Sequence, residues 1–287
     1  MKVSARAAVW WLAAPLLLTT LLLVLGPLLV TVGMALTHYD ALGAARFAGA
    51  DNLVQLWNDG LFWKSVWNST IVAAWSVPMR LAIALALALL LMPKIVGAST
   101  ARTVVYLPTV VPDIAYALLW LWILNPIYGP LGLALRAAGF PAEEWLMSAW
   151  GARGAIVLLS LFQIGEVYVV LLAARRELPG ELYELCAVEG ASPWYTFRRV
   201  TLPLLMPAIL FLAARDVAIS LQTSFVPALV ITKGGPNFAT LFLPLYVYQN
   251  AFEYLRFGYA AALSLAMFGL TGAMVAAQWW ILRRWWR

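Results

Sequence analysis

The sequence predicts an all-α integral membrane protein with six transmembrane helices, and three observations carry that expectation. Of 287 residues, 64% are hydrophobic and 11% charged, with mean hydropathy +0.85. Soluble domains hold roughly 45–50% apolar and about 25% charged residues. Six hydrophobic runs can be separated, and a chain of this length accommodates six spans of about 20 residues with short connections. The basic residues around those runs are unevenly shared between alternate loops, as expected when Lys and Arg resist translocation. Composition also excludes several classes. A single cysteine, Cys186, leaves no disulfide framework or Cys-based zinc site. A single histidine, His38, gives no basis for His-centred catalysis, and its place at the outer end of the first run makes it an interfacial residue.

The runs follow in order. Ala8–Leu36 is longer than the apolar region of a signal peptide, about 7–15 residues, and is taken as a retained helix. In Val66–Met92, alanines alternate with leucines from Ala82 to Leu89, and Ala82 and Ala86 are expected to admit a close neighbour. Val104–Leu124 is interrupted near its start by Pro108 and Pro112; Ala152–Ala174 follows. Leu204–Ile231 opens beside Pro203 and Pro207, carries Arg215 and Asp216, and contains Pro227. Tyr259–Leu282 is clean. No repeat or linker divides the chain, so a single transmembrane domain over 1–287 is expected.

Six spans place both termini on one side. That side holds Lys2, Arg6, Lys94, Arg102, Arg175, Arg176, Arg198, Arg199, Arg283, Arg284 and Arg287; the other holds Arg46, Lys64, Arg136, Arg153, Lys233 and Arg256. The richer side should be cytoplasmic. The net charge of +6 is then a topology signal, and nucleic acid is not an expected partner. Trp10, Trp11, Trp63, Trp67, Trp150, Trp279, Trp280, Trp285 and Trp286 fall near span ends, where indoles sit at lipid headgroups.

The most informative stretch is the cytoplasmic loop 175–203, which reads as two short helices between the fourth and fifth spans. Pro179 suits a first helical position, and Glu181 suits the positive end of the helix dipole. Gly190 is placed to stop that helix in a left-handed conformation. Ser192 caps a second helix with Pro193 at its first position and Arg198 and Arg199 in its last turn.

The order Glu184, five residues, Gly190, nine residues, Val200-x-Leu202-Pro203 resembles the EAA loop of binding-protein-dependent ABC import permeases. Leu185-Cys186 stands where that pattern has Ala-Ala. Elsewhere the chain is similar to the maltose- and glycerol-phosphate-type sugar branch, in Phe47-x-Gly49-x-x-Asn52, Tyr106-Leu107-Pro108, Asn125-Pro126 and Thr232-Lys-Gly234-Gly235-Pro236. The resemblance implies a carbohydrate permease in the bacterial inner membrane. It implies a second permease subunit in a heterodimer, two ATPase subunits and an extracytoplasmic solute-binding protein. Glu184, Ala187, Gly190, Leu202 and Pro203 would form the ATPase-coupling loop. ATP and Mg would be cofactors of the ATPase subunit. This chain has no Gly-x-x-x-x-Gly-Lys-[Ser/Thr] loop, so it is expected to be no enzyme itself.

Ionisable residues inside spans are costly and face a cavity or a partner. On the fifth run Arg215, Asp216, Ser220, Gln222 and Thr223 share one side at 100° per residue; on the fourth, Gln163 and Glu166 share a face. These stripes either line a solute pathway or pair between helices. On the third, Asp113, Tyr116 and Trp120 line a face suited to a sugar. Arg80 is a structural pair or snorkels. An ATP-independent secondary transporter would also explain six spans with internal charges, but it gives no reason for the Glu184–Pro203 pattern.

Overall fold

The computed structural model describes residues 5–92, 97–139 and 146–283, with side chains from Trp10 to Trp280. Of the residues invoked above, Lys2, Lys94, Arg284, Trp285, Trp286 and Arg287, with the side chains of Arg6 and Arg283, lie outside that description. The described chain is built of helices and one two-stranded hairpin.

In order they are α1 Ala5–Thr20, a π turn Leu21–Leu25, α2 Gly26–Ala35, β1 Thr37–His38, β2 Arg46–Phe47, α3 Asp51–Asn58 and α4 Gly60–Leu90. Then come α5 Ala98–Val110, α6 Asp113–Ile123, α7 Pro130–Ala137, α8 Ala149–Ser160, α9 Gly165–Arg176 and α10 Gly180–Val188. The last third holds α11 Pro193–Thr196, α12 Leu202–Thr223, α13 Phe225–Pro227, α14 Leu243–Tyr248 and α15 Phe257–Arg283.

Among the described residues, four helical runs are long and apolar enough to cross a membrane: Trp10–Ala35, Gly60–Leu90, Pro193–Thr232 and Phe257–Trp280. Two bent pairs, α5 with α6 at 102° and α8 with α9 at 48°, bring the number to six if each is one span. Pro112 explains the first break. It disfavours helical geometry at Val111, which is extended (φ −71°, ψ 129°), and α6 restarts behind it. The interruption expected in the third run is therefore a sharp turn between two short helices. Gly165 shapes the second break. Its amide donates to Thr109 Oγ1 at 3.0 Å, and a Cβ there would collide with Thr109 and Tyr106. Gly165 lets α9 close onto α5.

The second coupling helix does not stand alone. α11, a π turn Phe197–Thr201, α12, α13 and a π turn Ala228–Thr232 form one continuous helix of 40 residues, Pro193–Thr232. Arg198 and Arg199 lie in its interior and not in a last turn. Two short helices were expected; one, α10, is separate, and the other is the base of this long helix. The Leu202 amide reaches back to Phe197 O across the π turn. That wider turn accommodates Pro203, which has no N–H to donate.

The chain divides into two compact units, Met1–Phe62 with Tyr246–Gly269, and Trp63–Leu245 with Leu270–Arg287. In the first, Asn52 is buried and donates through Nδ2 to Ala35 O (2.8 Å) and Thr37 O (2.9 Å), fixing α3 against the end of α2. Asp59, between α3 and α4, accepts from the hydroxyls of Tyr246 and Tyr259, both at 2.5 Å, and from the Leu61 amide. Burial opposes ionisation of Asp59, but these hydrogen bonds outweigh it and hold the carboxyl below its ordinary 3.8. Tyr246 is pushed up to about 12, first by burial and then by Asp59.

The second unit has its core where α4, α9 and α12 meet. Ala84 and Ala88 of α4 pack with Val167, Tyr168, Leu171 and Leu212. The small-residue contact is thus made by Ala84 and Ala88, whereas Ala82 and Ala86 are exposed. Both pairs have the same spacing of four, so periodicity alone does not choose between them.

Candidate functional site

The loop 175–203, expected to couple to an ATPase, is built from local signals. Pro179 is the N-cap residue of α10, one place earlier than expected, and Glu181 lies in the first turn. Gly190, at φ 69°, ends the helix: its amide donates to Ala187 O (3.1 Å) and the Ala191 amide to Cys186 O (2.9 Å). This double closure satisfies the last carbonyls. Ser192 accepts from the Tyr195 amide at 3.2 Å and Pro193 opens the long helix, as expected.

One face of α10 is fastened to the protein. The Tyr183 hydroxyl and Thr201 Oγ1 lie 3.1 Å apart, and the Arg175 guanidinium sits 3.9 Å above the Tyr183 ring. The opposite face is free, with Leu182, Leu185 and Val188 exposed, and Trp194 and Tyr195 exposed beside them. Glu184, Ala187 and Pro203 are exposed and Leu202 is half-buried. Leu185 points outward, so its bulk meets no packing constraint within this chain, while Cys186 lies half-buried at the helix end. The result is a short, doubly closed helix with an apolar outer face.

Partway along the long helix, three polar contacts tie it to its neighbours. Asp216 meets Arg80 of α4 at 3.0 Å, with both side chains 5% exposed. One turn on, Ser220 Oγ and Ser76 Oγ are 3.3 Å apart and buried. The two rungs run in opposite sequence directions, so α4 and the long helix are antiparallel. Arg215, pointing about 100° away, pairs with Glu166 at the start of α9, the side chains being 36% and 53% exposed.

The structure redistributes the expected stripes. Asp216 and Ser220 are buried against α4, Arg215 turns to α9, and Gln222 is exposed on another face. Gln163 lies in the break between α8 and α9, so it does not share a helix face with Glu166. Tyr116 and Trp120 are buried, with the Tyr116 hydroxyl donating to Leu159 O at 2.6 Å; only Asp113 of that trio is exposed. They hold α6 to α8 and present no plane to a sugar. Arg80 is a pairing residue and does not snorkel. Its partnership was findable: Ser76 and Arg80 are four apart, as are Asp216 and Ser220.

Sequence reasoning also passed over a clamp at the other end of α4. Asn68 donates to Phe238 O (2.7 Å) and Leu241 O (3.1 Å) and accepts from Arg153 at 2.6 Å; Ser69 Oγ accepts from the Leu243 amide at 2.9 Å. This holds the segment after Thr232-Lys-Gly-Gly-Pro, where Lys233 (φ 50°) and Gly234 (φ 83°) make a tight turn.

A family model described as the binding-protein-dependent transport system inner membrane component matches residues 80–287. The lactose transport system permease protein LacF of Rhizobium radiobacter is 30% identical over 282 residues, 96% of this chain and 93% of that protein. The sulfoquinovosyl glycerol transport system permease protein SmoG of Agrobacterium fabrum is 31% identical over 240 residues, 83% and 78% of the two chains. Among solved structures, a chain of a bacterial alginate ABC transporter, in complex with an alginate pentasaccharide-bound periplasmic protein, shares the fold. Its TM-score is 0.79 at 22% identity, covering 99% of this chain and 98% of that one. The matched region takes in the loop 175–203, the long helix and Arg80, and the chain belongs to the family of binding-protein-dependent transport system inner membrane components.

Proposed function

We infer that this chain is a permease subunit of an ABC importer that conducts a carbohydrate or similar polar solute across the bacterial inner membrane. The observation that carries this is the exposed, doubly closed helix Gly180–Val188, at the foot of a helix that runs unbroken to the intramembrane charges. A loop of that build receives force from a partner and passes it on. Family membership and permease relatives for lactose and sulfoquinovosyl glycerol favour this reading over ATP-independent transport.

In this reading each bent pair counts as one span, giving six in one domain over 1–287, with both termini cytoplasmic. The antiparallel pairing of α4 with the long helix agrees with that order, since a second and a fifth span run oppositely. The outer face of α10, with Glu184, Ala187 and Gly190, seats on an ATPase subunit, and Leu202 and Pro203 carry motion into the long helix. ATP and Mg bind that partner. A second permease chain completes the pathway, and an extracytoplasmic protein delivers the solute. Gln163, Glu166, Arg215 and Gln222, exposed or half-exposed along the fourth and fifth spans, line the pathway, while Asp216 supports them from within.

The test is to isolate the tagged chain at native expression from mild-detergent membranes and identify its companions by mass spectrometry. A nucleotide-binding subunit and a second permease should be recovered. Isolation of this chain alone, from membranes where its relatives' complexes survive the same detergent, would overturn the reading.

A further inference from the structure

We propose that the Glu166–Arg215 pair is a latch that holds the resting state and parts as the long helix moves, while Arg80–Asp216 is the pivot about which it moves. The proposal rests on the importer reading above. Arg215 and Asp216 are adjacent on a helix with no break down to Pro193, and each is bonded to a different neighbour, α9 and α4. A rigid rod with two anchors about 100° apart cannot turn or slide without releasing one of them.

Solvation decides which. Arg80 and Asp216 are each 5% exposed, so parting them strands two bare charges in an apolar interior. Ser76 and Ser220 reinforce the same seam one turn away. Glu166 and Arg215 are 53% and 36% exposed. Glu166 lies ten residues from Arg176, about 15 Å along α9, which is about half the hydrocarbon thickness. A half-exposed ion pair at that depth cannot face lipid, so it faces water or a partner. Its charges regain solvation when they part. Parted, they offer one carboxylate acceptor and one five-donor guanidinium to the hydroxyls of a passing solute.

The α9 side of the latch is held in place. Gly165, immediately before Glu166, is bonded through its amide to Thr109 Oγ1 and has no room for a Cβ. Motion is therefore taken up on the Arg215 side. At its cytoplasmic end the same helix is tied to α10 through Thr201 and Tyr183, so a push on α10 reaches Arg215 along one continuous helix.

The experiment measures ATP hydrolysis by the isolated complex in lipid vesicles without solute. Three forms are compared: wild type, Glu166→Gln, and the exchange Glu166→Arg with Arg215→Glu. The latch predicts at least a threefold rise in solute-independent hydrolysis for Glu166→Gln, at wild-type complex yield, and a return to the wild-type rate in the exchange. Unchanged or lower hydrolysis in an intact Glu166→Gln complex overturns the latch, as does an exchange that stays as active as Glu166→Gln. If Glu166→Gln fails to assemble, Arg215→Gln is measured in its place against the same criteria. Wild-type vesicles that hold no ATPase activity at all would instead defeat the importer reading on which the proposal stands.

Discussion

Gly165 and Asp59 carry more of the structure than their size or position in the sequence announces. Gly165 has no space for a methyl group against Thr109 and Tyr106, so Gly165→Ala should lower stability by about 1–3 kcal/mol through overpacking. Thermal unfolding in detergent checks this, and Gly154→Ala, on open space in the neighbouring α8, should be silent beside it. Asp59 makes a pH prediction. Its carboxyl is held below 3.8 in the folded protein, so the ionised form contributes stability above the unfolded value, and that contribution is lost as pH falls through the folded one. The melting temperature of wild type should therefore exceed that of Asp59→Asn at pH 7, and the gap should narrow as pH falls from 7 to below 3.8. A gap that stays constant across that range would remove Asp59 ionisation from the account. Neither residue was singled out in the sequence. A glycine's need for close approach and a carboxylate's tyrosine partners depend on which elements meet, and Tyr246 and Tyr259 lie far from Asp59 along the chain.

At the scale of elements, the sequence was informative wherever the signal was local. Pro179, Gly190, Ser192 and Pro193 act on their own turns, so α10 and the start of the long helix could be placed within a residue. Gly190 gives a direct test: at φ 69° an alanine costs about 1–2 kcal/mol locally. Gly190→Ala should impair uptake more than it lowers the melting temperature of the whole chain. Continuity was not legible, because Pro203 and Pro207 look like a helix start; the π turn Phe197–Thr201 absorbs the first of them. Facing direction was illegible too. A spacing of four fits Ala82–Ala86 as well as Ala84–Ala88, and only the packing of α9 selects the latter. The buried pair yields a further prediction. Arg80→Gln or Asp216→Asn alone leaves an uncompensated charge and should cost about 3–5 kcal/mol, whereas the double neutral variant should recover most of it. Yield and melting temperature of the three variants decide this.

For the whole molecule, composition was sufficient to assign a helical chain with several apolar spans, and the positive-side bias supplies the orientation adopted in the proposed function. The bends of 102° and 48° in the third and fourth runs were not readable as angles, because hydropathy registers length and apolarity but not direction. Charges inside the runs were expected to need a cavity or a partner, and their division into a buried pair and a half-exposed pair belongs to the assembled fold. What unites these features is a path from an outward-facing apolar helix, through one continuous rod, to paired charges in the bilayer. The central claim is that a partner ATPase drives this path through α10. The most direct measurement is ATP-driven sugar uptake by vesicles containing the isolated complex and its binding protein, with wild type compared to Leu185→Asp. Leu185 is 60% exposed, so the variant should fold and insert normally yet lose at least tenfold in uptake, with the ATPase subunit released or uncoupled. Uptake at the wild-type rate in Leu185→Asp would contradict the account.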